Sequence, residues 1–529
     1  MRDLRQDSTQ LYIADQVQTF VDNLILESVT DVTRRWQTPE RVGDGPVLTK
    51  TEPWEGLPYF NCATTIIRDP DDGLFKCWYE IMVGEPDKSR IALGMDSYSC
   101  VATSEDGLHW EKPALDNLIV DGRKTNIVLG NPNTGGAHSM TVIRDPYPKS
   151  EAERFKGMLT LMWDHNKNRR IVTAYSPNGI NWKINDDVPR IGLAGPRLCD
   201  GHNLAYDEDA REYVCYTRHF LMTAGATRVR FVRDQTFGRP LELDNFATYC
   251  QRRVWVMRST DFIHWSEPVL IAAADESEDN LDESFYYMVP YKLGSLHLGP
   301  VGVFKSVDNE IEVQLLHSRD GLRWQRAMKR QPFLAHRGEG YWDAHLVYIN
   351  NPPIEVDDKL YFYYSGSNFH HDWWMVGLRE GIDHPEAIDP LGCGSAFGVG
   401  LATLRKDGYA SLYANQHRQG VVITRNLISL GTQLVINARC APGGSIRVEV
   451  QNRLDKVLGE CTIENSDAFT GDSVEHTMTW KGDPTIPAGR GQELYWRKLR
   501  FHLRNAELFS FRFTHETDDV SPYKTEKEW

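Results

Sequence analysis

A chain of 529 residues has room for two or three domains and a well-buried core. A formal charge of -15 argues against a nucleic-acid or anionic-membrane surface and suits an acidic protein that handles a neutral substrate. Nine cysteines, scattered without CxxC pairs, indicate neither a zinc site nor a disulfide framework.

Residues 1–45 read as extended segments, LYIAD and TFVDNLILE among them, packing on or closing the domain that follows. They hold no signal-type apolar stretch, and nowhere do about 18 apolar residues run together, so a cytoplasmic location and no membrane partner are expected. From residue 46 strand signals dominate, in runs such as Ala63-Thr64-Thr65-Ile66-Ile67 and Glu312-Val313-Gln314-Leu315-Leu316 cut by Asp, Gly, Pro and Asn turns. Helix patterns are almost absent.

Within this region four hairpins repeat: Ser104 to Trp110 (SEDGLHW), Ser176 to Trp182 (SPNGINW), Ser259 to Trp265 (STDFIHW) and Ser318 to Trp324 (SRDGLRW). Each follows an apolar run, a turn and a second run ending in aromatics, so the chain reads as an array of like units. Taking Cys62, His138, Asp200, Glu283 and Asp343 as starts of first strands gives a step of about 70 residues, enough for four strands with generous loops. The expectation is a five-bladed β-propeller over 46–397. Arg-Asp-Pro at 68–70 and 144–146 is read as turn chemistry. Residues 398–515 hold closely spaced strands without a further Ser…Trp hairpin, which predicts an antiparallel β-sandwich, and 516–529 is a polar tail.

In such a meander the first strand starts, and the second ends, at one face, while the Ser…Trp hairpins lie at the other. The hairpin Ser and Asp are expected to bond local backbone and the Trp to pack between blades. The mouth is then lined by Asn61, His138, Asp200 with His202, Glu283 and Asp343 at strand starts. Glu80, Asp164 with His165, Arg218 with His219, Lys305, and Asn368 with His370 stand at strand ends. Carboxylates crowded at one funnel push their pKa values apart, so one stays protonated while another is ionised, the division that cleaving a glycosidic bond requires. No HExxH, GxGxxG or P-loop pattern is present. Neither a cofactor nor a catalytic metal is therefore expected, although the axial channel leaves room for a structural calcium or other ion.

These features resemble the five-bladed glycoside hydrolases of families 32, 43 and 68. The propeller-plus-sandwich order is closest to family 32, the fructofuranosidases. The hairpins are similar to the Asp boxes of sialidases but one residue shorter. Where family 32 opens its first blade with a WMNDPNG-type motif, this chain has FNCATT at 60–65, so roles rest on strand position. The resemblance implies hydrolysis by two carboxylates with a third tuning pKa or binding sugar, and many members act on furanosides. The expected catalytic set is Asp200 as base or nucleophile, Glu283 as general acid and Asp343 as the tuning acid. Glu80, His138, His202, Arg218, Trp342 and His370 would bind substrate. An all-β glycosidase acting on a terminal, fructose- or arabinose-type sugar of an oligosaccharide is the leading reading, with homo-oligomerisation left open. The alternatives are a glycosyltransferase or phosphorylase on the same scaffold, or a non-catalytic carbohydrate-binding propeller.

Overall fold

The computed structural model describes residues 10–58, 64–83, 96–130, 136–162, 170–185, 198–222, 250–275, 277–280, 282–305, 308–371, 373, 383–389, 394, 397–488 and 495–515. They are nearly all β; the α-helix among them is the single turn Pro385–Ile388.

Among the described residues, five antiparallel meanders follow one another. Unit one pairs Thr65–Arg68, Phe75–Val83 and Asp96–Ser104, with Ile127–Leu129 at the outer edge. Unit two runs Gly136–Arg144, Phe155–Met162, Arg170–Ser176, Lys183–Asn185, and unit three Leu198–Asp207, Glu212–Met222, Cys250–Ser259, Val269–Ala272. Unit four is Glu283–Met288, Leu296–Lys305, Glu310–Ser318, Gln325–Arg326. Unit five is Leu346–Ile349, Lys359–Ser367 and Phe397–Arg405, and its outer places are taken by Glu40–Arg41 and Leu48–Thr49 from the other end of the chain. That borrowed strand explains why no fifth Ser…Trp hairpin exists.

The four hairpins have one construction. The Ser104 hydroxyl donates to Asp106 (3.0 Å) and accepts the Gly107 N–H (2.8 Å), while Asp106 accepts the N–H groups of Leu108 and His109 (both 2.8 Å). The same bonds recur at Ser176/Asn178, Ser259/Asp261 and Ser318/Asp320. The backbone N–H of His109 is the main influence holding the Asp106 carboxyl below the ordinary carboxylate range. Gly107, Gly179 and Gly321 supply the left-handed residue that this turn needs, whereas the third hairpin places Phe262 there at φ 65°. Its ring compensates by packing edge-on against Tyr175 (5.9 Å), Tyr213 (5.1 Å) and Trp265 (5.5 Å).

Each hairpin tryptophan lies in an apolar cluster, and neighbouring units lock together there. Trp78 of unit one donates to the Gly179 carbonyl of unit two (2.7 Å), and Tyr213 of unit three to Asp145 of unit two (2.8 Å). Units four and five bridge between Ile311 and Leu346. Unit five returns to unit one: Tyr363 donates to the Gly107 carbonyl (3.0 Å), stacks edge-on with Trp110 (6.0 Å), and Asn351 accepts the Ile66 N–H (3.2 Å). Units three and four share one apolar cluster through Val254, Val256, Phe285 and Val301, so the order of contacts closes into a ring.

The remaining chain builds around two long strands, Gln433–Gln451 and Trp496–Thr514, which pair antiparallel over most of their length. Two sequence-based boundaries shift. The strand Phe397–Arg405 belongs to unit five, pairing with Lys359–Ser367 at every residue, so the break drawn at 397/398 moves beyond Arg405. The N-terminal segment divides: Gln10–Tyr12, Gln18–Thr19, Leu26–Thr30 and Thr33–Trp36 join the C-terminal sheets, and only residues from Glu40 on reach unit five. Leu11, Ile13, Phe20 and Ile25 fill the same core as Leu434, Val448, Phe501 and Phe511.

One ion pair fastens this N-terminal segment to unit four. Arg319, inside the fourth hairpin, grips Asp22 through both carboxylate oxygens (2.8 Å each), and the Leu24 N–H adds a third bond (3.0 Å). Burial alone would raise the Asp22 pKa, but these partners outweigh it and lower it from 3.8. A depressed carboxylate contributes stability that is present above its unfolded pKa and lost as pH falls through its folded pKa. Asp22→Asn is therefore expected to cost about 2 kcal/mol at pH 7, read by denaturant unfolding. The difference from wild type should shrink as pH drops below about 4; a difference constant across that range would contradict the pairing.

Candidate functional site

First strands start, second strands end and third strands begin at one end of every meander, so the ring gathers these positions. Across the hairpins His138 faces Thr160, His202 faces Thr217 and Glu283 faces Lys305, and the His345 N–H donates to the Ser367 carbonyl (3.1 Å). These are matching places in units two to five.

At this end polar side chains bridge consecutive units. Glu80 of unit one lies 2.6 Å from His138 Nδ1 of unit two and accepts the Ser139 N–H (3.0 Å), both residues being buried. Ser139 adopts φ 53° within a β-bulge between His138 and Thr141, so the carboxylate secures a strained turn that re-aims the imidazole. Between units two and three, buried His202 sits 3.4 Å from Thr160 Oγ1 and 3.2 Å from Thr217 Oγ1. Between units three and four, the guanidiniums of Arg218 and Arg252 lie 4.0 and 5.1 Å from the Tyr286 ring centroid. His371 Nε2 meets the Tyr286 hydroxyl at 2.8 Å. Between units four and five, Glu310 lies 2.8 Å from His345 Nδ1 and 3.3 Å from His336 Nε2.

The Glu310 surroundings form the densest group. Burial would raise the Glu310 carboxyl, but hydrogen bonds from His336 and His345 override it and hold the group at about 2. The reverse holds for His345: burial lowers its pKa, and the Glu310 hydrogen bond and charge lift it above the ordinary value. His345 stacks on His370 (3.9 Å, 22°), and His370 on Trp373 (3.8 Å, 18°). Buried Glu386, on the helical turn, binds His370 Nδ1 and accepts its backbone N–H (2.9 Å). Glu310, His345 and His370 also form a donor set of the kind that holds a metal ion.

The expected site residues fall into three groups. Glu80, His138, His202, Arg218 and His370 stand at this end of the ring, as does Glu283, whose carboxylate accepts the Asn280 side-chain and backbone N–H groups (3.1 and 3.3 Å). Asp200 is in the strand Leu198–Asp207, between the Leu198 and His202 pairings, but its side chain, like that of His219, lies outside the described residues. So do Asn61, Cys62, Asp164 and His165. Asp343 and Trp342 make up the third group. Asp343, 0% exposed, is clamped between Arg41 (2.8 Å) and Arg337 (2.6 Å) and accepts the Tyr364 hydroxyl (3.2 Å). With both oxygens committed it is a structural anchor for the borrowed strand. Trp342, partly buried, stacks on Tyr364 (5.6 Å, 21°) against the core of units four and five.

Sequence reasoning missed Glu310, Arg252, Tyr286 and Glu386. Glu310 was accessible in principle: it opens a third strand, and third strands start where second strands end. Glu386 belongs to a connection that strand periodicity says nothing about.

No family model matches the chain, and no curated protein does. Among solved structures it is similar to a β-1,2-mannobiose phosphorylase from Listeria innocua bound to β-1,2-mannobiose, at 12% identity and TM-score 0.44 over 70% of this chain and 97% of that one. It is also similar to an N-acetylgalactosamine deacetylase from F. plautii in complex with blood group B trisaccharide (13% identity, TM-score 0.42, 70% and 95% covered). A third is a glycosyl hydrolase from Bacteroides ovatus (14% identity, TM-score 0.43, 70% and 94% covered). At these scores the likeness is distant.

The two readings of Asp343 predict different behaviour. Asp343→Asn leaves two guanidiniums facing a neutral group, which should cost ~3–5 kcal/mol in denaturant unfolding while sparing turnover by the folded fraction. Unchanged stability with lost turnover would return Asp343 to the catalytic set.

Proposed function

We propose that the chain is a glycoside hydrolase whose five meanders form a five-bladed β-propeller, followed by a β-sandwich, and that it cleaves a terminal sugar from an oligosaccharide at the end of the ring described above. The observation that carries this reading is the concentration there of carboxylate–imidazole contacts: Glu80 with His138, Glu310 with His345 and Glu386 with His370. Glycosidic cleavage needs an acid beside the leaving oxygen, a base or nucleophile across the sugar, and fixed donors and acceptors for hydroxyls. Glu283 is the proposed general acid and Asp200 the base or nucleophile. Glu80, His138, His202 and Arg218 supply hydroxyl contacts. The furanoside preference follows the family resemblance alone.

A second reading is favoured by one feature. Two guanidiniums over the Tyr286 ring, with Arg218 4% exposed, concentrate positive charge in a confined place suited to an anion. In that case phosphate rather than water accepts the glycosyl group.

Both readings are tested by assaying the full chain on natural oligosaccharides and on aryl furanosides and pyranosides, with and without inorganic phosphate. Hydrolysis predicts phosphate-independent release of free sugar; phosphorolysis predicts a sugar phosphate and stalled turnover without phosphate. Glu283→Gln should lower kcat on the natural substrate by about 10²–10⁴-fold, yet far less on an activated aryl glycoside, whose leaving group needs little protonation. Equal losses on both would remove Glu283 from the acid role. No activity on any glycoside, with or without phosphate, would overturn both readings.

A further inference from the structure

We propose that Glu310, His345 and His370 bind one divalent first-row transition ion of the zinc type. The three residues come from separate places: the first residue of a third strand in unit four, the residue before the first strand of unit five, and a position beyond unit five's second strand. Each offers one ligand atom, and these atoms all lie within 4.8 Å of one another. Ligands on a tetrahedral ion with ~2.0–2.1 Å bonds stand roughly 3.4 Å apart, so the set forms as the wider separations close and the Glu310–His345 pair opens slightly. The Glu310–His345 pair, at 2.8 Å, is already close enough for both atoms to share one ion.

The surroundings fit a metal better than a closed ion-pair network. His370 is gripped at Nδ1 and at its backbone N–H by Glu386, and Trp373 covers one ring face at 3.8 Å. A carboxylate behind a histidine fixes the ring and its tautomer and leaves the other nitrogen to the metal, the usual support of a metal-bound imidazole. His336 Nε2 approaches the far oxygen of Glu310 (3.3 Å) and orients that carboxylate in the same way. Exposed Glu339 reaches His345 Nε2 (3.3 Å), so three carboxylates, Glu310, Glu339 and Glu386, meet the imidazoles of His336, His345, His370 and His384. Two nitrogens and one oxygen favour zinc and its neighbours over calcium or magnesium, which take mainly oxygen ligands. With three protein ligands the ion keeps an open position for water or a sugar hydroxyl. No short motif marks the site because its donors are distant in sequence. Nothing in this assignment depends on the glycosidase reading.

The test uses the full chain after chelator treatment and dialysis, titrated calorimetrically with Zn²⁺, Mn²⁺ and Ca²⁺, with metal content measured by mass spectrometry. The expected result is one Zn²⁺ per chain at micromolar affinity or tighter, no comparable Ca²⁺ binding, and loss of the site in His345→Ala and His370→Ala. Glu386→Gln, outside the donor set, should weaken Zn²⁺ about 10–100-fold. Should the histidine variants fail to fold, Co²⁺ added to the wild-type chain supplies a second readout, since an N₂O site with few ligands gives intense visible absorption that Zn²⁺ abolishes. Absence of stoichiometric Zn²⁺ binding, Zn²⁺ binding that survives both histidine substitutions, or a featureless Co²⁺ spectrum would overturn the proposal.

Discussion

Closure is the constraint on which the other features depend. Unit five has three strands of its own and takes its outer edge from residues 40–49, so the ring completes only when this early segment pairs with Phe397–Arg405. Asp343 holds that meeting place: fully buried, it binds Arg41 of the borrowed strand and Arg337 of the connection between units four and five together. A buried carboxylate is costly unless every oxygen is satisfied, and two guanidiniums with a tyrosine hydroxyl meet that demand. The adjoining N-terminal strands are committed to the C-terminal sheets, so the two parts of the molecule share one segment.

The chemistry at the ring's end inherits this dependence. Glu80 and His138 belong to different units, as do Thr160 and His202, Arg218 and Tyr286, and Glu310 and His345. None of these pairs can form within one meander, so the geometry of the site is set by how units pack. Apolar clusters beneath, such as Trp78 with Phe155 and Met140, fix that packing without polar side chains having to do so. The hairpins at the opposite end spend their Ser and Asp side chains on their own turns. One end is thus chemically closed, while the other gathers the acids, imidazoles and guanidiniums.

Much of this was legible in the chain because it is local. The SxDGxxW pattern encodes its own hydrogen bonds, and Ser104 and Asp106 make them as the turn chemistry requires. The Arg-Asp-Pro turns behave likewise, with Asp69 and Asp145 accepting the N–H groups two residues on. Strand position also brought Glu80, His138, His202, Arg218, Glu283 and His370 to one end. What failed was non-local. Nothing in the run around Asp343 states that Arg41, some 300 residues away, will neutralise it, and the Phe397–Arg405 strand reads like those after it because β-patterning carries no partner identity. Glu386 contributes from a connecting turn, where no period exists to read.

Ligand recognition is proposed at the end of the ring where Glu80, His138, His202 and Glu283 converge. The most direct measurement is a crystal structure of the intact chain with an oligosaccharide bound. Sugar hydroxyls are expected within hydrogen-bond reach of His138, His202 or Glu283. A sugar seated instead on the Ser…Trp hairpins, or solely on the C-terminal sheets beyond Arg405, would contradict it.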